Sequence, residues 1–215
     1  MASSKPAFKQ GVENMSKRKL VVRWDDSQRI RRCLANNSIA ASWTHLVPQL
    51  GRTRQGICCD PRLGCDWKAP GRSVGLVLDI ARLPASTKWF EFDGNAVHDL
   101  TDRLTWTFDA EERKRLVDES ASDPRYTRSR DELFIAGHIR HLSGCMVAFW
   151  IRDQRGRELG AKTAADVGAF AASHGLPIYR FDPMYSDRRE VSLEWMASQI
   201  DGAESGLELE VEAAA

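Results

Sequence analysis

The chain has 215 residues, 42% of them hydrophobic and 28% charged, and its formal net charge is +1. That describes a globular protein of one ordinary domain, or one domain with an appendage. It holds no apolar run long enough to cross a bilayer, and its start, MASSKPAFKQGVENMSKRKL, lacks the apolar core of a secretory signal, so a cytoplasmic protein with no membrane partner is expected.

The charge is unevenly placed. Lys5, Lys9, Lys17, Arg18 and Lys19 make residues 1–19 a basic arm. Asp201, Glu204, Glu208, Glu210 and Glu212 make residues 201–215 an acidic tail. Both read as mobile ends flanking a folded unit over 20–200. Five cysteines without an export signal speak against disulfides. Cys58, Cys59 and Cys65 cluster, and His138 and His141 follow far downstream. CCDPRLGC lacks the regular paired spacing of a zinc site, so no metal is expected and free thiols are the default.

Leu20–Trp24, LVVRW, reads as a first strand. Asp25 or Asp26 then offers an N-cap for a helix over Ser27–Ala35, with Ile30, Cys33 and Leu34 on one side and Asn36–Asn37 at its end. Ile39–Leu50 is ambiguous: Trp43, Leu46, Val47 and Leu50 have helical spacing, while Pro48 argues for a loop or a first turn. Gly51–Gln55 reads as a basic loop and Gly56–Cys59 as a short apolar strand. Arg62–Arg72 should be irregular.

Val74–Asp79, VGLVLD, is a nearly continuous apolar run, which predicts a strand buried on both faces. Lys88–Phe92 alternates as a half-buried strand, and Asp93-Gly94-Asn95 reads as a turn. Leu104–Phe108 suits another strand or a loop. Asp109 caps a predicted helix over Ala110–Glu119, and Ser120–Arg130 follows as a loop. Cys145–Arg152 is a second strongly apolar strand. Thr163 and Asp166 suggest a capping box for a helix over Ala164–Ser173, stopped by Gly175. Ile178–Phe181 returns as an edge strand, and a last helix is expected over Asp187–Ile200. Strands and helices mixed without regular βαβ alternation predict an α+β fold. No glycine-rich phosphate loop follows a strand.

The stretch Tyr126–Ile139, YTRSRDELFIAGHI, reads as an arginine-rich loop running into a strand with an acidic pair at the junction. Alternation puts Asp131, Leu133 and Ile135 on one face and Glu132, Phe134 and Ala136 on the other. The two carboxylates point apart, so one faces a pocket, and Glu132 is the candidate.

Three elements, in order, resemble the ADP-ribosyltransferase-like superfamily. They are a strand with one polar residue leading to a helix (Val21–Asp25), a Gly-led strand and loop followed by a buried strand ending in Asp (GICCDPR, then VGLVLD), and SRDELFIAGHI. The likeness covers about 20–150. It implies a split β-sandwich with flanking helices and an NAD-dependent mono-ADP-ribosyltransferase of bacterial-toxin or phage-effector type, acting on a protein or nucleic-acid acceptor. In the arginine–serine–glutamate class of that family, the first-strand Arg binds the phosphates of NAD, and Arg23 resembles it. The second motif shapes the nicotinamide ribose pocket and here reads Cys58-Cys59-Asp60 in place of Ser-Thr-Ser. Glu132 resembles the catalytic Glu. Tyr126, Arg128 and Arg130, on the loop before it, take the place that selects the acceptor. Trp24, Trp67 and Tyr126 are candidates to stack on nicotinamide.

That chemistry suits the residue types. Breaking the nicotinamide–ribose bond passes through an oxocarbenium-like state that a nearby carboxylate stabilises. A second reading is a non-catalytic α+β binding module, a degenerate family member or an inhibitor, which the Cys58-Cys59 departure favours. A third is a nucleic-acid-binding protein using the basic arm with Arg52, Arg54, Arg62 and Arg72.

Overall fold

The computed structural model describes residues 19–61, 74–127, 132–152 and 159–181. The basic arm up to Arg18, the acidic tail and the predicted helix over Asp187–Ile200 lie outside them. In chain order the elements are β1 (Leu20–Asp25), α1 (Ser27–Ala35), β2 (Trp43–Val47), β3 (Arg52–Cys59), β4 (Val74–Asp79), β5 (Trp89–Phe92), α2 (Gly94–Trp106), α3 (Ala110–Ser122), α4 (Pro124–Thr127), β6 (Glu132–Ala136), α5 (Leu142–Cys145), β7 (Met146–Arg152), α6 (Ala161–His174) and β8 (Ile178–Phe181).

The strands form two four-stranded sheets, ordered β1-β4-β7-β8 and β2-β3-β6-β5. Every pairing is antiparallel except β7 with β8. This is an α+β fold. The sheets share one apolar core: Val21, Leu76, Leu78 and Phe149 from the first meet Ile57, Leu133 and Ile135 from the second. Helices α1 and α6 add Ile30, Leu34, Val167 and Phe170 to it. The other face of the second sheet carries a separate core, where Phe92 and Phe134 pack with Val97, Leu100 and Leu104 of α2, Leu116 of α3 and Tyr126 of α4.

Several elements follow directly from local chemistry. Asp26 caps α1, accepting a hydrogen bond from Arg29 N at 2.9 Å. All six residues of β4 are buried, as its unbroken apolar run requires. Gly175 ends α6 in the left-handed conformation, at φ 64°. Ile178–Phe181 is the edge strand expected.

Elsewhere tertiary context decides. Trp43–Val47 is a strand, and Pro48–Leu50 is a short 3₁₀ turn closed by Gly51 at φ 58°. The supposed basic loop Gly51–Gln55 is mostly strand: β3 pairs with β2 from Arg52, but with β6 only from Gly56 onward. Its first half is exposed or half-buried, in keeping with its polar sequence, while the buried residues of this ribbon come from β2. Asp93-Gly94-Asn95 is the start of α2 rather than a turn, with Asp93 Oδ1 accepting from Ala96 N at 3.0 Å. Leu104–Phe108 is the end of that helix and the chain just beyond it. The capping box at Thr163 does not form. Gly160 is the N-cap of α6, Thr163 is buried, and Asp166 accepts from Arg31 Nε at 2.8 Å.

Candidate functional site

Beyond their shared core, the two sheets are hydrogen-bonded to each other where the end of β3 reaches β1. Val22 and Asp60 exchange backbone hydrogen bonds, both at 2.8 Å, which ties the end of β3 to the middle of β1. Strand alternation then sorts the side chains on each side of this knot. On β3, Cys59 enters the inter-sheet core and Cys58 faces α2. On β6, Leu133 and Ile135 enter the inter-sheet core, while Phe134 packs under α2 and Glu132 opens into a cleft. The alternation expected for this strand therefore holds, although Asp131 lies outside the described residues.

The cleft encloses about 410 Å³, within the range of small-molecule sites, roughly 300–1,000 Å³. Arg23 of β1, Trp43 and His45 of β2, Cys58 of β3, His98 and Asp102 of α2 and Glu132 of β6 line it. Its floor is a chain of polar contacts. His45 Nε2 lies 3.3 Å from Cys58 Sγ, and Glu132 lines the same cleft. Burial, and next the Glu132 charge, push the Cys58 thiol far above its ordinary range. Burial holds the His45 imidazole below its usual 6.5, against a smaller upward pull from Glu132, with His98 adding to the downward shift. The thiol is therefore a proton donor and His45 is neutral at neutral pH. Glu132 is seated against the first residue of α2, because a side chain on Gly94 would occupy the place of its carboxylate.

Arg23 reaches this cleft as a brace. Its Nε and Nη2 donate to Asp25 Oδ2 at 3.1 and 2.7 Å, and its Nη1 donates to the Cys58 carbonyl at 2.8 Å. The residue is 4% exposed. Burial is the largest single influence and would lower its pKa, but Asp25, together with Cys59 and Cys58, more than offsets it and the pKa is raised. The open fork for phosphate oxygens expected of Arg23 is thus closed on a carboxylate and a carbonyl. It fixes β3 at the residue whose thiol meets His45.

Other expected site residues land elsewhere. Trp24 borders the cleft, but its indole packs across Gly75 with Val22, Val77 and Trp150 on the far face of the first sheet. Cys59 is 3% exposed and belongs to the core. Tyr126, expected to face outward on a loop, is 7% exposed on α4 and packs in the core beneath α2. It is buried because α4 folds back on β5, where Asp93 N donates to the Arg125 carbonyl. Arg128, Arg130 and Trp67 lie outside the described residues. Among the described residues no group of three or more His, Cys, Asp and Glu side chains is arranged to hold a metal ion. None of their helices is long and apolar enough to cross a membrane.

Sequence reasoning missed Trp43, His45, Gly94, His98 and Asp102. WTHLV carries a signal once it is read as a strand, since Trp43 and His45 then share a face; their rings stack at 6.2 Å with an interplanar angle of 16°. Trp43 is 44% exposed at the cleft lip. His98 and Asp102 stand one helical turn apart, with His98 Nδ1 4.0 Å from Asp102 Oδ2. No protein-family model, no curated protein and no solved structure matches the chain significantly.

Proposed function

We propose that the chain is an NAD-dependent mono-ADP-ribosyltransferase with an ADP-ribosyltransferase-like split β-sandwich, modifying a protein or nucleic-acid acceptor. The observation that carries the reading is that Arg23 and Glu132, from strands of different sheets and 109 positions apart in the resemblance-bearing segments, line one cleft at the knot between the sheets. The cleft is of a size for a small organic substrate. It offers an exposed indole at its lip and a carboxylate at its floor.

In this reading NAD is the substrate, and Glu132 is the catalytic residue. The bond between the ribose anomeric carbon and the nicotinamide nitrogen breaks, nicotinamide leaves as the neutral amide with the bonding pair, the acceptor's lone pair attacks the same carbon, and the acceptor's proton is released to solvent. The Glu132 carboxylate stabilises the positive charge on the ribose as that exchange proceeds. Trp43 replaces Trp24 as the flat surface on which an aromatic ring can stack. Arg23 serves by holding Cys58, and through it the floor, in register.

The closed bonding of Arg23 favours a second reading, a non-catalytic binding module that keeps the fold without the chemistry. Isothermal titration with NAD, together with release of nicotinamide from labelled NAD, separates the two. Binding with turnover supports the enzyme, and neither binding nor turnover leaves the module.

A further inference from the structure

We propose that the cleft selects a flat organic cation. Glu132 supplies the charge and Trp43 the stacking face, so the cleft holds a pyridinium ring and gives up the neutral ring of the same shape.

The sign of the cleft follows from which charges are already paired. Its acidic and basic lining residues are Arg23, His45, Asp60, His98, Asp102 and Glu132. Arg23, the one guanidinium among them, is 4% exposed, and its Nε, Nη1 and Nη2 all donate to internal partners. Burial keeps His45 neutral at neutral pH. Asp102 stands against His98, and Asp60 is engaged as well. Glu132 differs from both. It is half-buried, and among the described residues every ion pair of a Lys or Arg side chain goes to another carboxylate. A half-buried carboxylate without a counter-charge favours a ligand that brings one. An anion brought here, such as a phosphate group, meets that negative charge and finds no open guanidinium to offset it.

The preference for a flat ligand comes from β2. The Trp43 indole stacks on the His45 imidazole, with 6.2 Å between centroids and an interplanar angle of 16°. Phe134 meets the same imidazole edge-on at 5.5 Å, and Phe92 lies 6.1 Å from it, so the indole rests on a fixed base. One face of the indole is taken by His45, and at 44% exposure the residue keeps open surface for a ligand. Indole is the best of the aromatic faces for a cation, and it stacks on flat rings whether or not they are charged. Stacking therefore sets the shape of the ligand, and Glu132 sets its sign.

One consequence rests on the NAD reading. The nicotinamide ring of NAD is a pyridinium cation, and it leaves as the neutral amide once the bond to ribose breaks. The charge that draws the ring in is lost at the moment of cleavage, so the cleft favours substrate over product. The phosphates of NAD stay outside this lining, since Arg23 is closed to them.

The test titrates the full chain calorimetrically with 1-methylnicotinamide, a permanent pyridinium, and with nicotinamide, its neutral counterpart. The expected result is that the cation binds about tenfold tighter than the neutral ring, with a preference that shrinks as salt is raised. Glu132→Gln, which keeps the shape and removes the charge, should make the two affinities equal. Trp43→Ala should weaken both rings. Inorganic pyrophosphate should not compete with 1-methylnicotinamide. Equal affinities in wild type, binding of neither ring, a preference that survives Glu132→Gln, or displacement by pyrophosphate overturns the proposal. Nicotinamide release from NAD is a separate arm. A preference for the cation without release supports the charge selection and sinks the proposed function. Release without that preference sinks the charge selection and leaves the enzyme.

Discussion

The Glu132 carboxylate occupies the space that a β-carbon on Gly94 would fill. Gly94 is the first residue of α2, and its neighbour Asp93 caps that helix. The absence of a side chain at this one position lets a strand of the second sheet present a carboxylate directly beneath a helix start. The same contact makes helix stability and site geometry separable.

Gly94→Ala should leave the fold intact, because Ala is a better helix former than Gly by up to about 1 kcal/mol. It should also displace Glu132. A shift of the reacting group by about 1 Å can cost a hundredfold, so NAD cleavage should fall by about that factor while the melting temperature holds. Activity at the wild-type level in a folded Gly94→Ala would show that the carboxylate position is not critical.

Arg23 and Asp25 are each 4% exposed, and they neutralise one another. Removing one partner leaves the other charge buried, at a cost of about 3–5 kcal/mol. Arg23→Met should therefore destabilise strongly in urea titrations, and Arg23→Met with Asp25→Leu should recover much of the loss. An Arg23→Met midpoint equal to wild type would mean that the pair is not a brace.

His45 has a folded pKa below the 6.5 of the free side chain, chiefly through burial. A depressed pKa means that the unfolded chain takes up the proton first as pH falls. Its contribution to stability is complete above about pH 6.5 and is lost as pH drops from there through the folded value. The difference in unfolding free energy between wild type and His45→Gln, followed from pH 8 to pH 5, should shift against wild type below that point. A difference that stays flat across the range would show that His45 titrates normally.

Val77 is fully buried in the middle of β4. Val77→Asp places an unpaired charge there and should cost several kcal/mol, on the order of 3 or more. An unchanged melting temperature would contradict the burial of this strand.

The sequence was most informative where one local pattern decided the outcome. The apolar run of β4, the Asp26 cap of α1 and the Gly175 stop of α6 needed no partner to be recognised. Alternation in ELFIA was enough to place Glu132 opposite Leu133, and the cleft bears that out. Where pairing across the chain decides, local reading stopped short. Asp93-Gly94-Asn95 has turn chemistry, and it became a helix start because Ala96, Val97, Leu100 and Leu104 had a sheet to pack on. Arg52–Gln55 became strand only because Trp43–Val47 lies beside it. The His45–Cys58 contact joins positions 13 apart on neighbouring strands, so it could be seen only once both strands and their shared face were known. Tyr126 was misjudged for the same reason: a loop-like segment was drawn under α2 by contacts remote in sequence.

The most direct test of the account is nicotinamide release from NAD by wild type and by Glu132→Gln, measured at saturating NAD with protein and nucleic-acid acceptors present. Gln keeps the shape of Glu132 and removes its charge. The account predicts cleavage by wild type and a fall in kcat of about a hundredfold or more in the variant, with KM little changed. Equal rates for the two proteins, or no cleavage by wild type under any acceptor, would contradict it.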